Sequence, residues 1–558
     1  MKVKLEELLS QLGNPGRYQL IVFFLLCLNY FPLVFNHVIM AFFGSRPTFE
    51  CQSRNFSSST LGDWYDNVTM GIGSYGNVSG LIIESSDIGR CSSTYHVRGG
   101  ENVTVTCPVD PNGLVVYQKT EQFSSIVTEW DLICDQSYLS SLATTIYFCG
   151  VMVGGVIFGH LADKCGRKPV MLASLFLPTI VGLGTAFAPW YSVFVALRFA
   201  QGVLMQGLQT STYTLAMELF LPQHRSYAGA VLECFWGLAV MAVPLLAYLI
   251  PNWRHLQVVI ALPSILALPY ICLMPESLRW LIMRNRLDDA EQLVTKVTKV
   301  NKMAFPQRSW DDVKLQMSVA ENDNKQYSVL DVLRTPNLRK RSLILFYLWF
   351  AISIGYYGLT WQLTSLPGNK YLNFFIAGSV EFVAYTLVIY ITKRFGRKRP
   401  LMTYFFLASA FMVGSGTLPL LASGPSIPLI SSGLAICGKF AMGGLFSVIF
   451  LYTSELYPTV VRNIGMGSCA FWTRVGGVIA PQMLALNLLV DGMKSLSLVL
   501  CGLVTLLGGF LAIMLPETLG RKLPDNLDDV EGTGSNSDLY VIAGAEEMKR
   551  LGEQTERL

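Results

Sequence analysis

Of the ionisable residues inside apolar runs of this chain, two matter most: Glu381 midway along 371–391, and Arg474 about twelve residues into 463–488. Runs of that length span a hydrocarbon core of about 30 Å. Glu381 is ten residues, about 15 Å along a helix, from either end of its run. A charge at such depth costs roughly 2.5–3.5 kcal/mol on an insertion scale, so each must face a partner or a wet cavity. A carboxylate suits an ammonium group, and a guanidinium grips a carboxylate bidentately. Lining one cavity, the two would form a two-pole site for a small organic ion. The competing reading is a structural pair, or contacts with other helices.

Aromatic and polar residues complete the candidate cavity: Gln209 and Tyr213 in the fourth run, Tyr356, Tyr357 and Trp361 in the seventh, and Phe446 in the tenth. Aromatic faces attract quaternary ammonium by roughly 0.5–2 kcal/mol each. Helix packing or an interfacial belt is the alternative for any one of them, and Trp361, near the end of its run, fits a belt best. Glu233, about six residues into the fifth run, reads as a gate or inner-cavity residue. His37 reads as a packing histidine rather than a proton relay.

The elements that must position these residues are duplicated. Glu218-Leu-Phe-Leu-Pro-Gln-His-Arg225 returns 237 positions later as Glu455-Leu-Tyr-Pro-Thr-Val-Val-Arg462. Asp163-Lys-Cys-Gly-Arg-Lys168 returns as Lys393-Arg-Phe-Gly-Arg-Lys398, and Pro275-Glu-Ser-Leu278 as Pro516-Glu-Thr-Leu519. Matched pairs in the same order mean a repeated membrane unit, a signature of transporters. Gly166 permits a tight turn there. Asp163, Arg167, Glu218, Arg225, Arg397, Glu455 and Arg462 form the expected cytosolic gate. Partly hydrated ion pairs of roughly 0–1 kcal/mol each suit a gate that opens and closes. Lys393 in place of Asp163 predicts an asymmetric one.

Composition agrees with the membrane. The 558 residues are 52% hydrophobic and 14% charged, against about 25% charged in soluble domains. Net charge is only +4, which gives no indication of nucleic acid. Spans are expected near 18–43, 138–160, 169–188, 191–215, 227–250 and 254–274. Six more follow near 341–363, 371–391, 400–420, 428–452, 463–488 and 495–515. The first is too long for a cleaved signal and should persist. The expected organisation is an N-terminal segment 1–17, a six-helix bundle 18–274, a charged central segment 275–340, a second bundle 341–515 and a polar tail 516–558.

Residues 44–137, an insert after the first span, carry the sequons Asn55, Asn67, Asn77 and Asn102, and the cysteines Cys51, Cys91, Cys107 and Cys134. Sequons are used only in the lumen, so the insert is expected outside with two disulfides of open connectivity. It has five Lys/Arg against eleven Asp/Glu, whereas 275–341 holds thirteen Lys/Arg. The positive-inside rule therefore places the central segment and both termini in the cytosol.

The two halves together resemble the major facilitator superfamily. The large glycosylated first loop, Pro275-Glu-Ser-Leu-Arg-Trp-Leu281 and Asn252-Trp-Arg-His-Leu-Gln257 resemble its organic cation, anion and zwitterion transporter family. The likeness covers nearly the whole chain except the loop interior and the tail. Four loop cysteines stand where that family usually has six. Glu381 together with Arg474, and Phe35-Asn36 in the first span, are similar to the carnitine-type branch, which adds Asn36 to the expected substrate-binding residues. The resemblance implies an all-α membrane protein of twelve helices in 6+6 pseudo-symmetric bundles, in the plasma membrane. It would carry small organic cations or zwitterions by alternating access. An organic anion carrier, with Arg474 dominant, is the alternative, and a sugar porter a weaker one. A receptor presenting the loop is a rival of another class, against which the duplication weighs. No phosphate loop, Ser/His/Asp motif or metal-ligand cluster is recognisable, so neither an enzyme nor a nucleotide-driven pump is expected. No cofactor or metal is implied, and Na⁺ coupling and oligomeric state stay open.

Overall fold

The structure is a computed structural model. It describes residues 2–45, 49–51, 83–88, 92–97, 102–106, 115–117, 124–319, 329–458, 460–489, 496–520, 524 and 527–531.

Among the described residues, twelve long helical segments make up the membrane part. Six precede the central segment: α1 (Arg17–Phe43), α2 (Tyr138–Cys165), α3 (Arg167–Ala186), α4 (Tyr191–Glu218), α5 (Pro222–Leu249) and α6 (Trp253–Leu273). Six follow it: α7 (Pro336–Ser365), α8 (Lys370–Phe395), α9 (Lys398–Leu421), α10 (Ile427–Leu456), α11 (Arg462–Leu489) and α12 (Leu496–Ile513). Among the described residues, ten are both long and apolar enough to cross a bilayer. α4 and α11 have 28 residues each, ample length, but are interrupted by polar groups including Arg198 and Arg474.

Local chemistry sets the helix ends. α5, α7 and α10 begin with proline in the first turn, where the missing N–H would have had no partner. The Asn369 side chain caps α8 by accepting from the amides of Tyr371 and Leu372, the usual N-cap device. Pro178, Pro244, Pro419 and Pro481 lie inside helices, which membrane helices tolerate when neighbours re-satisfy the freed carbonyls.

The central segment is helical over Leu278–Met283, Leu287–Asn301, Gln307–Val319 and Val329–Arg334. Asn301 joins it to the start of the chain: its amide donates to Leu12 O at 2.8 Å and Gln19 Oε1 at 3.0 Å, and its Oδ1 accepts from Tyr18 N at 2.9 Å. Ser309 Oγ donates to Gln11 Oε1 at 2.8 Å. In the tail, the Glu531 carboxylate accepts from the amides of Asn337 and Leu338. It thereby satisfies orphan donors at the start of α7.

α5 with α8, and α2 with α11, are among the helix pairs that join the halves. α5 and α8 run close together: a Cβ on Gly378 would lie 2.9 Å from Met241 Cγ, and the rings of Tyr248 and Tyr371 are 5.5 Å apart. α2 and α11 meet in the half of α2 next to the insert. There Gln482 Nε2 donates to Thr145 Oγ1 at 2.9 Å, and Thr145 Oγ1 donates to Val478 O at 3.1 Å. Toward the other ends of the same helices, Cβ positions on Gly159 and Gly467 would face open space.

Residues 42–140 and 251–253 form a separate compact unit. It carries a two-stranded antiparallel pair (Phe49–Cys51 with Val115–Tyr117) and a three-stranded sheet (Ile83–Ile88, Ser92–Val97, Asn102–Thr106). The helical character expected from the spans thus holds for the membrane part, while the insert adds short strands. Asn102 opens the last strand of the sheet, whereas Asn55, Asn67, Asn77, Cys91 and Cys107 lie outside the described residues. Cys51 ends the first strand and Cys134 is disulfide-bonded. Eight cysteines outside the insert, from Cys27 to Cys501, are free.

Candidate functional site

Glu381 faces α10 from the middle of α8, and its partner is a residue that the sequence expectations leave out. Lys439 Nζ lies 2.6 Å from Glu381 Oε1, with the two side chains 1% and 0% exposed. The Lys439 ammonium also donates to Thr360 Oγ1 at 2.5 Å and sits 3.2 Å from the centroid of the Tyr356 ring. Tyr356 OH donates to Glu381 Oε2 at 3.1 Å and accepts from Trp236 Nε1 at 2.8 Å. The chain of contacts from Trp236 through Tyr356 and Glu381 to Lys439 and Thr360 joins α5, α7, α8 and α10. A buried carboxylate with an ammonium and a phenol on it is already neutralised, so Glu381 is not a free acid waiting for a cation.

Arg474 differs. It is half-buried, its guanidinium donates to Ala470 O at 2.6 Å one turn back, and among the described residues no carboxylate pairs with it. Tyr357 is close enough to interact with its charge. The sequence expectations also leave out Arg198 on α4, fully buried. Its guanidinium donates to Gln201 Oε1 at 3.1 Å and Asn36 O at 3.0 Å, and lies 4.3 Å over the Tyr147 ring. These neutral contacts make it a packing cation of the first bundle.

The other expected site residues divide. Tyr356 and Phe446 meet edge to face at 5.1 Å, Tyr356 and Tyr357 at 5.3 Å, and Tyr357 stacks on Trp361 at 6.4 Å. Trp361 is only 5% exposed, so it packs inside the protein rather than at a lipid interface. Tyr213 on α4 lies 6.1 Å from Phe450 on α10. Gln209 is half-buried one turn before Tyr213. Asn36 is buried, and its amide bonds Pro32 O at 2.9 Å within its own helix. His37 bonds Leu33 O and Tyr147 OH, each at 3.0 Å, in keeping with a packing role.

The duplicated motifs converge in two matching networks. In the first half, Arg167 lies 3.0 Å from Asp163 and 3.3 Å from Glu218, while Glu276 Oε1 accepts from the amides of Arg167 and Lys168. In the second, Arg397 bonds Glu455 at 3.0 Å and Glu517 accepts from the amides of Arg397 and Lys398. Thr518 Oγ1 takes the remaining oxygen of Glu455 at 2.6 Å. Burial acts to raise the Glu517 carboxyl, but the four amides donated to it outweigh that and hold it below the usual carboxylate range. The seven-residue pairing suggested by Glu218/Arg225 and Glu455/Arg462 is replaced by these contacts. Arg225 instead donates to the carbonyls of Met217 and Phe220, and Arg462 to Tyr457 O. Each network lies within one half. The expected asymmetry takes a specific form: Lys393 donates to Tyr227 OH and sits over that ring, linking α8 to α5.

Two turns in these networks demand glycine. Gly166 has φ +108° and Gly396 φ +84°, and a Cβ would stand 2.3 Å from Glu276 Oε2 at the first and 2.7 Å from Glu517 Oε2 at the second. Gly166→Ala and Gly396→Ala are each expected to cost about 1–3 kcal/mol in backbone strain, plus the displaced carboxylate bonds. Thermal melting of the purified variants checks this, and wild-type melting curves would contradict it.

Comparison with known proteins accords with this architecture. A profile described as "Sugar (and other) transporter" matches residues 82–526. The chain is 32% identical over 537 residues to the organic cation transporter protein of Drosophila melanogaster, covering 95% of both chains. It is 35% identical over 407 residues to solute carrier family 22 member 13 of Homo sapiens, covering 73% of this chain and 72% of the relative. It is also 32% identical over 548 residues to member 7 of Bos taurus, covering 96% and 97%. Among solved structures, an inward open conformation of the xylose transporter XylE from E. coli aligns with a TM-score of 0.55 at 18% identity. That alignment covers 71% of this chain and 90% of the other.

Proposed function

Because the chain belongs to the organic cation, anion and zwitterion transporter family of the major facilitator superfamily, we propose that it carries small organic solutes bearing a carboxylate. Carnitine-like zwitterions and organic anions both qualify. Arg474 supports this reading: it is the accessible guanidinium among the core cations and has no carboxylate on it among the described residues. A guanidinium presents a planar fork that matches a carboxylate. The word "cation" in the name of the Drosophila relative points to an acid for substrate. Glu381 does not serve, because Lys439 already answers it.

The working cycle we propose is alternating access about this site, with the halves rocking on the α5–α8 contact. The insert stands outside, carrying glycans among Asn55, Asn67, Asn77 and Asn102 and disulfides among its cysteines. Both termini are cytosolic, and the membrane is the plasma membrane. The divisions at 17, 274, 340 and 515 bound the two bundles. In this conformation α2 and α11 are joined at Thr145 and Gln482, a contact that the proposed cycle makes and breaks. The matched motif networks brace each half as it moves.

Competition between a labelled carboxylic acid and its own primary amide tests the substrate class. The acid is expected to compete at least tenfold better, since the amide keeps the shape and loses the charge. Equal competition would overturn the proposal.

A further inference from the structure

Glu233, on α5, is an acid for which the arrangement so far gives no use. It is half-buried, eleven residues and so about 16 Å from the start of its helix. Its Oε2 is shielded from solvent and has no hydrogen-bond partner, and among the described residues no cation pairs with it. Ser447 of α10 faces it, and Tyr30, Tyr213 and Tyr385 are near enough to interact with its charge. Trp236, one turn along the same helix, packs edge to face with Tyr30 at 6.4 Å and donates its N–H to Tyr356. Of the charged groups at this depth, Glu381 and Lys439 cancel one another, and Arg198 is wrapped by neutral contacts. Among the described residues, no opposite charge is paired to Glu233 or to Arg474.

An acid with three phenols near it, and no cation paired with it among the described residues, has the chemistry of an ammonium receptor. Carboxylate charge and aromatic faces both favour a cation there, and burial without one is costly. We propose that Glu233 is the subsite for the substrate's ammonium group. On this proposal, which rests on the reading of Arg474 as the carboxylate anchor, the preferred substrates are ammonium carboxylates, gripped at one pole by Glu233 and at the other by Arg474.

Three matched probes test it: carnitine, 3-hydroxybutyrate (carnitine without its trimethylammonium) and choline (an ammonium without a carboxylate). Uptake is measured into proteoliposomes holding equal amounts of wild-type protein, Glu233→Gln or Glu233→Asp. The ratio of carnitine to 3-hydroxybutyrate uptake is expected to fall at least tenfold in Glu233→Gln and to recover in part in Glu233→Asp. An unchanged ratio overturns the proposal, whether both uptakes hold or both fall together as for a structural residue. So does a Glu233→Gln variant that merely loses the pH dependence of uptake for every probe alike, because the acid would then be holding a proton. Wild-type uptake of 3-hydroxybutyrate without either ammonium compound removes the subsite and leaves the carboxylate reading standing. Wild-type uptake of choline alone removes the Arg474 reading and the ammonium carboxylate class with it.

Discussion

Lys439→Ala is expected to destabilise the carrier by about 3–5 kcal/mol, the usual effect of stranding one member of a buried ion pair. Glu381 would remain at full burial with only the Tyr356 hydroxyl on it, and Thr360 would lose its ammonium donor. The double variant Glu381→Gln, Lys439→Met removes both charges at similar volume and is expected to recover most of the loss, since replacing a whole buried pair is often neutral. Melting of detergent-purified protein and the amount reaching the cell surface are the readouts. Lys439→Ala melting with wild type, or the double variant faring worse than the single one, would show that the pair does not act as a neutral structural unit.

Arg474→Ala is expected to leave the fold intact and lower kcat/KM for a carboxylate substrate by about 100-fold or more. Hydrogen bonds to charged groups are worth about 1.5–3 kcal/mol each, and a bidentate grip makes two of them. Within the protein the substitution frees Ala470 O from the guanidinium, and that oxygen still serves the helix ladder. Arg474→Lys is expected to recover only part of the loss, because a point charge cannot reproduce the fork. Uptake at matched surface level decides. Unchanged carboxylate uptake in Arg474→Ala would place the substrate elsewhere.

The membrane segments are legible in the sequence because apolar runs of twenty residues have few other uses, and the two halves because three motifs recur in order. Partnerships between helices are harder. Lys439, in Cys437-Gly438-Lys439-Phe440, and Arg198 lie within apolar runs just as Glu381 does. The cost argument that singles out Glu381 applies to both and could have found them. That Lys439 rather than a ligand meets Glu381 depends on how α8 and α10 are rotated against each other, which no spacing along the chain records. Sequence proximity alone suggests the pairing of Glu218 with Arg225. The helix break at Leu221-Pro222 starts α5 anew and aims Arg225 back at the carbonyls of Met217 and Phe220. Arg167 arrives from another helix to take the acid. The place of Trp361 near a run's end suggests an interfacial residue, yet it closes over Tyr357 inside the protein.

The division of labour between the charges is most directly read by equilibrium binding of one labelled carboxylate to purified carrier in lipid nanodiscs. Wild type, Arg474→Ala and the double variant Glu381→Gln, Lys439→Met are compared. The expected result is a Kd within a few-fold of wild type for the double variant and weakening of about 100-fold for Arg474→Ala. The opposite pattern, with binding lost in the double variant and kept in Arg474→Ala, would make the Glu381–Lys439 pair the substrate site and contradict the assignment.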